Sequence, residues 1–324
     1  MSRLNSILTT QEIKGRISVV IPFYGSFDSR RAICSIESIK AQNYSDLEIV
    51  VSEQGTEPKL KHFLEGVNYT FTYHAPPTEI SDFNPGQIRN RAIEICTGEF
   101  IYTTDADIVF LNQQYLSQLK ELMDAGSSLA FYRPPMRRLP LDNFEEFLRL
   151  SQEFGILNAM ASLDRSQEFL INLDKKYRPL KVVQKMDTYM KTFTASETDH
   201  ARYKADPTLK GKEPTIWFEN LHCGGNFFRR SQFNHVGGYS EEFINWGRED
   251  SDLQWKIQQC FELRFIPKET VFEVMHLDHD KSYFSKEMWK RNEAMEQDRQ
   301  KRGIAYCIAH DIDQIRKRVK IIDE

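Results

Sequence analysis

The sequence predicts an α/β fold with a mostly parallel central sheet flanked by helices, and three observations support this prediction. Residues 17–21, which read ISVVI, form a β-branched run that is apolar on both faces, as buried parallel strands are. Residues 47–51 and 100–104, which are also mostly apolar, predict further strands. Stretches with helical spacing of apolar residues lie between these runs, and strands that alternate with helices build parallel sheets through right-handed crossovers.

The remaining elements follow in order along the chain. Residues 29–41 predict a helix after the first strand, because isoleucines recur there at roughly helical spacing. The next helix begins at Asn84, a capping residue that is followed by Pro85 at the first helical position. Residues 116–123 predict a third helix and residues 128–132 a further strand. Sheets of this type bind ligands beyond the carboxyl ends of their strands.

The second half of the chain is less regular. Residues 133–214 are rich in charge and have no clear strand periodicity. Residues 285–302 and 312–322 predict two charged helices, which would form a C-terminal helical extension. No internal repeat or low-complexity segment is present. We therefore interpret the chain as an α/β fold that is followed by the C-terminal helical extension.

Composition and charge narrow the class of protein. Of the 324 residues, 40% are hydrophobic and 28% are charged, as in soluble globular proteins. The net charge of -4 is not the basic excess that binding of nucleic acid over the whole surface requires. Five widely spaced cysteines favour neither a zinc site nor a disulfide framework, and no apolar run is as long as a membrane span. We therefore expect a cytoplasmic protein that has no signal peptide and binds no nucleic acid.

The first chemical motif is Asp105-Ala106-Asp107, at the end of the apolar strand. Side chains two positions apart in an extended turn point the same way, so both carboxylates can bind one divalent cation, Mn²⁺ or Mg²⁺. Such an ion offsets the charge that develops on a leaving nucleoside diphosphate. Two acids in a solvated loop are the alternative interpretation, and the position after a strand favours the metal site.

The second motif lies within residues 223–253 and combines paired glycines with a tryptophan. Gly225 belongs to a pair that lets the backbone approach a ligand closely. Trp246, beside Gly247, offers a flat face on which a sugar ring can stack. The motif therefore indicates a carbohydrate site.

Two groups of ionisable residues complete the pattern. Glu249, Asp250 and Asp252 follow the tryptophan, and a carboxylate can accept a proton from an acceptor hydroxyl. Acids also favour helix N-termini, which is at least as good an explanation for Asp252, whereas we favour catalysis for Asp250. His276 and His279 follow a strand-like segment, and a neutral imidazole could complete a metal site.

Together these segments resemble the nucleotide-sugar glycosyltransferases of the GT-A fold, whose central sheet is Rossmann-like. The matching segments read ISVVIPFY, EQGT, IRNRAIEICTGEFIYTTDADI and GGYSEEFINWGREDSDL. The N-terminal half is similar to family 2 transferases. The C-terminal piece is similar to the galactosyltransferase-type module of β-1,4-galactosyltransferases, chondroitin polymerases and polypeptide N-acetylgalactosaminyltransferases. The resemblance covers residues 16–281, with a poorly matched gap at 133–214.

The resemblance implies three parts of the chain and one reaction. Residues 1–132 would be the nucleotide-sugar-binding half of the GT-A domain, residues 133–281 its acceptor-binding and catalytic half, and residues 282–324 the C-terminal helical extension. The enzyme would use a metal to move a hexose or N-acetylhexosamine from a UDP-sugar to an acceptor hydroxyl, in polysaccharide or glycoconjugate synthesis. Carbohydrate, lipid-linked and peptide acceptors all fit this reaction.

For the nucleotide, the resemblance implies that Pro22, Phe23 and Tyr24 line the nucleoside pocket. Arg89 matches the arginine that the family places near the nucleotide. Glu53 stands where the family usually has an aspartate that contacts uracil. The sequence there reads EQGT instead of the usual DDGS, and this departure leaves the preferred base open.

For the metal, the resemblance implies that Asp105 and Asp107 are ligands of Mn²⁺ or Mg²⁺, with Asp105 also beside the nucleotide sugar. His276 matches the third ligand of the ion. A shift of three residues in the match makes His279 the alternative.

For catalysis, Trp246 and Gly247 match the sugar- and acceptor-facing WG of the family. Glu249 would orient the sugar or the acceptor, and Asp250 matches the base of inverting enzymes. The retaining N-acetylgalactosaminyltransferases tend to have EN where this chain has ED. The sequence therefore favours inversion, with a retaining transferase of the same fold as the alternative.

Three other classes of protein compete with this interpretation. A sugar-phosphate nucleotidyltransferase would need a loop rich in glycine and lysine after the first strand, where this chain has FYGSF. A glycoside hydrolase needs two carboxylates that flank the bond but has no use for a nucleotide pocket. A non-catalytic carbohydrate- or partner-binding relative would be expected to lack one of the acids, and all of them are present.

The C-terminal helices leave one question of location. Lys317, Arg318 and Lys320 could face anionic lipid, which would make the protein peripheral at the inner face of a membrane. The helices could instead contact a partner synthase or a second copy of the chain. A solvated face is the more frequent explanation for such a charged helix.

Overall fold

Within the residues that it describes, the computed structural model contains a central sheet of seven strands and a second sheet of four strands. The described residues are 10–25, 27–55, 59–60, 70–74, 83–139, 141–162, 220–267, 269–280 and 284–323. Residues 163–219, which include most of the poorly matched gap, lie outside this description.

The central sheet is mostly parallel, as predicted. Its strands are β1 (Ile13–Tyr24), β2 (Leu47–Gln54), β3 (Thr70–His74), β4 (Gly98–Thr103), β6 (Leu129–Tyr132), β9 (Asn226–Arg229) and β10 (Glu262–Phe265), in the spatial order β10-β6-β9-β4-β1-β2-β3. The pairs β1–β2, β1–β4, β2–β3 and β6–β10 are parallel, and β9 is antiparallel to both β4 and β6. The carboxyl ends of the parallel strands therefore share one edge with the first residues of β9.

The second sheet is smaller and has the order β5-β11-β7-β8. Its strands are β5 (Ile108–Phe110), β7 (Pro135–Leu139), β8 (Asn220–Leu221) and β11 (Val274–Leu277). β11 is antiparallel to β5 and parallel to β7. Because β5 follows β4 after only four residues, the second sheet lies directly beside the carboxyl edge of the first.

Helices cover both faces of the central sheet. The described helices are α1 (Ser29–Lys40), α2 (Pro85–Ile95), α3 (Tyr115–Asp124), α4 (Phe144–Phe154), α5 (Ile156–Ser162), α6 (Arg230–His235), α7 (Glu249–Cys260), α8 (Lys286–Arg302) and α9 (Ile304–Asp323). Ile17, Val19 and Ile21 of β1 pack with residues of α1 and α3 in one core cluster. Val20 packs on the opposite face with residues of α2, α6 and α7. Alternate residues of a strand face opposite sides, which explains why every position of ISVVI except Ser18 is apolar.

The predicted start of α2 is confirmed. The Asn84 side chain accepts a hydrogen bond of 2.9 Å from the backbone N–H of Gln87, and Pro85 is the first residue of the helix. This cap satisfies one of the free N–H groups at the helix start. It also fixes the position of Arg89, which follows one turn later on the same helix.

The predicted C-terminal helical extension is present as α8 and α9. The basic residues of α9 are partly used within the protein, because Arg318 is buried and pairs with Glu94 and Glu241. Lys317 pairs within its own helix, and the side chain of Lys320 lies outside the described residues. Among the helices in the described part of the chain, none has both the length and the apolar character needed to cross a membrane.

Candidate active site

Three side chains with metal-ligating atoms converge beside the carboxyl edge of the central sheet. The Nε2 atoms of His276 and His279 lie 3.3 and 2.9 Å from Oδ2 of Asp107. One ligand atom from each residue lies within 4.8 Å of the other two. We call Asp107, His276 and His279 the metal triad. The two histidines that the sequence offers as alternatives lie at the same place.

The pairing of two short strands brings the metal triad together. Asp107 directly precedes β5, and His276 of β11 is the antiparallel partner of Ile108. The backbone N–H of Leu277 donates a hydrogen bond of 2.9 Å to the carbonyl of Asp107. Asp107 is therefore more than 160 positions from the two histidines in sequence but lies beside them in the fold.

The outer nitrogen of each imidazole has its own acceptor. His276 Nδ1 lies 3.1 Å from a carboxylate oxygen of Asp278, and His279 Nδ1 lies 2.7 Å from the carbonyl oxygen of Asp280. When Nδ1 donates to these oxygens, the lone pair of each Nε2 is free to bind a cation held beside Asp107. Hydrogen bonds from the outer nitrogen orient histidine ligands around metal ions in proteins.

The Asp107 carboxylate also fits a cation. Its Oδ1 atom is buried and has no hydrogen-bond partner among the described residues. Burial acts to raise the pKa of Asp107, but His276 and His279 hold it well below its usual value. Asp107 in turn raises the pKa of His279, although burial opposes this. One carboxylate and two imidazoles form a donor set for a divalent transition-metal ion.

Asp105 faces a different partner from Asp107. Its Oδ1 accepts a hydrogen bond of 2.6 Å from the Arg89 guanidinium, and its Oδ2 lies 3.7 Å from Nδ1 of His222. A Cβ at Gly224 would lie 2.9 Å from the same carboxylate, so the backbone approaches Asp105 closely. The two acids of the motif thus face different groups of residues in this structure.

Arg89 joins three carboxylates. Its side chain is almost completely buried, and it donates to Asp105 and to Glu249, the latter at 3.0 Å. The same guanidinium lies 3.6 Å from Asp250. We call Arg89, Asp105, Glu249 and Asp250 the acid cluster. It joins α2, the segment after β4 and the first turn of α7.

Asp250 is held within the acid cluster by neutral donors. The Tyr239 hydroxyl donates to its Oδ1 at 3.2 Å, and the Asn226 amide donates to the same atom at 3.4 Å. Burial raises the pKa of Asp250 to about 8; Arg89 opposes this increase, and the carboxylates of Glu249 and Asp105 add to it. Burial also raises the pKa of Glu249, whose Oε2 atom has no hydrogen-bond partner among the described residues.

The glycine and tryptophan positions frame the site. A Cβ at Gly225 would lie 2.5 Å from Pro134, so packing requires a glycine there. Trp246 is 49% exposed, and its ring meets that of Phe284 edge-on at 5.5 Å. Gly247 follows with a φ of 104°, a conformation that favours glycine.

The residues predicted for the nucleoside pocket have different environments. Phe23 is buried in the core, whereas Tyr24 is half-buried and packs against Phe83 at 5.3 Å. Pro22 is buried on the same strand. Glu53 is fully buried and accepts hydrogen bonds from two backbone N–H groups that follow it, at positions 59 and 60. Burial raises the pKa of Glu53, although these bonds oppose the increase. The nucleoside-binding roles of all four residues stay predictions.

Several residues that contact the site were not predicted from the sequence. Asn226 and Tyr239 each follow a pair of glycines and donate to Asp250. Asp278 lies between the two histidines in sequence and supports one of them. His222 is buried beside Asp105, and burial lowers its pKa to about 4 although Asp105 opposes this. The position of a polar residue directly after each glycine pair is the sequence pattern that could have identified Asn226 and Tyr239.

Two family models match separate parts of the chain in sequence, and both matched parts contribute residues to this site. Residues 18–158 match the model of glycosyl transferase family 2. Residues 209–280 match the model described as the N-terminal domain of galactosyltransferase. The chain therefore has a part similar to family 2 glycosyltransferases followed by a part similar to galactosyltransferases, and the predicted resemblance is confirmed. No curated protein matches the chain in sequence.

Several solved structures are similar to this chain at low identity. Staphylococcus aureus TarS 1-349 is 14% identical, with 81% of this chain and 60% of that chain covered and a TM-score of 0.42. The same protein in complex with UDP-GlcNAc is 13% identical, with 87% and 65% covered and a TM-score of 0.46. The mannosyltransferase PcManGT from Pyrobaculum calidifontis, in complex with GDP-Man and Mn²⁺, is 16% identical, with 91% and 67% covered and a TM-score of 0.46. This chain spans about two thirds or less of the length of these chains.

Proposed function

We propose that this protein transfers a hexose or N-acetylhexosamine from a UDP-sugar to an acceptor hydroxyl, with inversion at the anomeric carbon and with a divalent metal ion. The observation that carries the proposal is the placement, at one sheet edge, of the metal triad and the acid cluster. A transferase of this type needs a site for the departing diphosphate and a base for the attacking hydroxyl. The two groups of residues fit these two tasks.

The donor set favours Mn²⁺ over Mg²⁺. Asp107, His276 and His279 supply one oxygen and two nitrogens, whereas Mg²⁺ prefers oxygen ligands and retains several waters. When bound, the ion would supply positive charge for the diphosphate of the leaving UDP. Asp105 would remain beside the nucleotide sugar through its contact with Arg89.

Asp250 fits the task of the base. The acceptor hydroxyl gives its proton to the Asp250 carboxylate while its oxygen attacks the anomeric carbon and the bond to UDP breaks. Tyr239 and Asn226 orient the carboxylate, and burial gives it a pKa of about 8, a high proton affinity for an aspartate. The Oε2 atom of Glu249, which has no hydrogen-bond partner among the described residues, would accept a hydrogen bond from a hydroxyl of a sugar.

The acceptor is proposed to be the hydroxyl of a carbohydrate, a lipid-linked sugar or a peptide. The exposed face of Trp246 would stack on a sugar ring of the donor or the acceptor. We propose a cytoplasmic location; attachment at the inner face of a membrane through α9 is the less favoured alternative, because Arg318 is directed into the protein.

Release of UDP from a panel of UDP-sugars tests the proposal without knowledge of the acceptor. With Mn²⁺ and no acceptor, we expect slow hydrolysis of one or two donors, and no release when the metal is chelated. Release from every donor at the same rate with and without metal would contradict the proposal. Once an acceptor is found, the anomeric configuration of the product by NMR decides between inversion and retention.

A further inference from the structure

The segment that carries Trp246 has an unusual backbone. Asn245, Gly247 and Arg248 have φ values of 61°, 104° and 81°, so three of four successive residues are left-handed. Two of them are not glycine, and such conformations persist only where the surrounding structure enforces them. We call residues 245–248 the tryptophan loop. It leads directly into Glu249 and Asp250, the first two residues of α7.

One asparagine of α8 bonds to the residue before the tryptophan loop and to Gly247 within it. The Asn292 side chain is fully buried, and its amide nitrogen donates to the carbonyl oxygens of Ile244 and Gly247, both at 3.0 Å. A side-chain amide has two N–H donors. Asn292 therefore satisfies two backbone carbonyl groups that lie outside the helices and strands.

Two further contacts with α8 fix the end of the loop. A Cβ at Gly247 would lie 3.2 Å from the Trp289 ring, so the indole packs directly on the backbone there. The Arg248 guanidinium lies 4.6 Å from the centre of the Trp289 ring and pairs with Glu293 and Glu296. Each contact acts on a residue with positive φ.

A buried ion network anchors α8 itself to α7. Arg299 of α8 donates to Asp252 of α7 at 2.8 Å and to Asp311 of α9 at 2.7 Å. Lys256 of α7 is fully buried and pairs with the same Asp311. The C-terminal extension is thus joined to the helix that begins with Glu249 and Asp250, and its distance from the loop is fixed.

We infer that α8 of the C-terminal extension is part of the catalytic site, with Asn292 and Trp289 as positioning residues. They hold the tryptophan loop in its left-handed conformation and so set the distance between the sugar-stacking face of Trp246 and the carboxylate of Asp250. The inference rests on the proposed function. It predicts that α8 controls the rate of the reaction while the nucleotide and metal contacts, which lie on other elements, are unaffected.

The test compares Asn292→Ala with Lys290→Ala, a change at an exposed position of the same helix. We measure release of UDP from the best UDP-sugar with Mn²⁺, affinity for UDP and Mn²⁺ by calorimetry, and amide exchange of residues 244–252. For Asn292→Ala we expect kcat to fall by about tenfold to a hundredfold, as small misplacements of reacting groups do. Affinity for UDP should stay within about twofold, and exchange of the 244–252 segment should accelerate. Lys290→Ala should match the unmodified protein.

A second variant guards against loss of folding. If Asn292→Ala does not fold, Glu293→Gln combined with Glu296→Gln removes the pairs of Arg248 without opening a cavity. We expect it to show the same pattern with a smaller loss of kcat.

Three outcomes would contradict either the inference about α8 or the proposed function. Unchanged kcat and exchange in a folded variant overturn the inference. A loss of UDP affinity equal to the loss of kcat, with faster exchange throughout the sheet, also overturns it, because it indicates general destabilisation. If the unmodified protein releases UDP from no UDP-sugar, the proposed function fails, and the exchange data alone decide whether α8 fixes the loop.

Discussion

The metal triad and the acid cluster lie at the same edge of the sheet but have opposite balances of charge. In the metal triad, one carboxylate, Asp107, faces two imidazoles. In the acid cluster, the carboxylates of Asp105, Glu249 and Asp250 share the single guanidinium of Arg89. Both groups are partly or fully buried, so solvent screens neither balance completely.

This difference separates the proton affinities of the two aspartates. Burial acts to raise both pKa values, but the imidazoles hold that of Asp107 well below its usual value. For Asp250, burial and the neighbouring acids together outweigh the effect of Arg89, and the pKa rises to about 8. Two acids with pKa values displaced in opposite directions are suited to different tasks. One remains an anion for a cation, and the other can accept a proton.

The largest expected effect comes from Asp250→Asn. An amide cannot accept the proton of the acceptor, and loss of a general base costs about 10²–10⁴-fold in rate. Transfer should fall by this factor, while calorimetry should find the affinity for UDP and Mn²⁺ unchanged. Asp313→Asn, at an exposed position of α9, is the control. Near-normal transfer by Asp250→Asn would show that the base has been assigned to the wrong residue.

The second prediction contrasts the two acids of one motif. Asp107→Asn removes the carboxylate of the metal triad, and Mn²⁺ affinity should fall by more than the roughly 10–100-fold that loss of an outer-shell partner costs. Asp105→Asn should weaken Mn²⁺ binding less, because Asp105 contacts Arg89. Calorimetric titration with Mn²⁺ measures both. Equal losses would mean that both carboxylates bind the ion, as the sequence motif alone suggests.

The features that could be predicted from the sequence are those set by local pattern. The run that contains Val20 is apolar because its alternate residues enter two different cores. Asn84 could be named as the start of α2 because the cap and the following proline act within one turn. Asp107 and His276 could be proposed as neighbours because the sequence places each of them after a strand-like segment, and α/β sheets bind ligands beyond the ends of their strands.

The features that could not be predicted depend on partners far apart in the chain. The residues around Asp105 in sequence do not indicate that it contacts Arg89, because this contact depends on how α2 packs against the central sheet. β9 inserts antiparallel between β4 and β6, and only this insertion brings Asn226 to Asp250. Asn292 is one polar residue in a charged helix, and its two bonds at the tryptophan loop leave no periodic signal.

A smaller effect is expected from Asp278→Asn, which tests the support of the metal triad. The change weakens the acceptor for His276 Nδ1 without touching a proposed ligand. Loss of such an outer partner costs about 10–100-fold in metal affinity, and the conservative amide should lie at the lower end. Mn²⁺ titration measures the effect. Asp280→Asn is the control, because Asp280 contacts His279 through its backbone carbonyl; equal losses in the two variants would contradict a specific role for Asp278.

The smallest expected effect is a shift in pH dependence that belongs to the acid cluster alone. Because the pKa of Asp250 is raised to about 8, the carboxylate that accepts the proton becomes scarce as pH falls below that value, and kcat should fall with it at saturating Mn²⁺. Glu249→Gln removes a neighbouring charge that helps to raise this pKa. The acid limb of the profile should therefore move to lower pH, by about one unit or less, whatever the change in absolute rate. In Asp278→Asn, which alters the metal triad, the limb should stay in place. A limb that moves in Asp278→Asn but not in Glu249→Gln would assign the titration to the metal triad and remove the electrostatic distinction between the two regions.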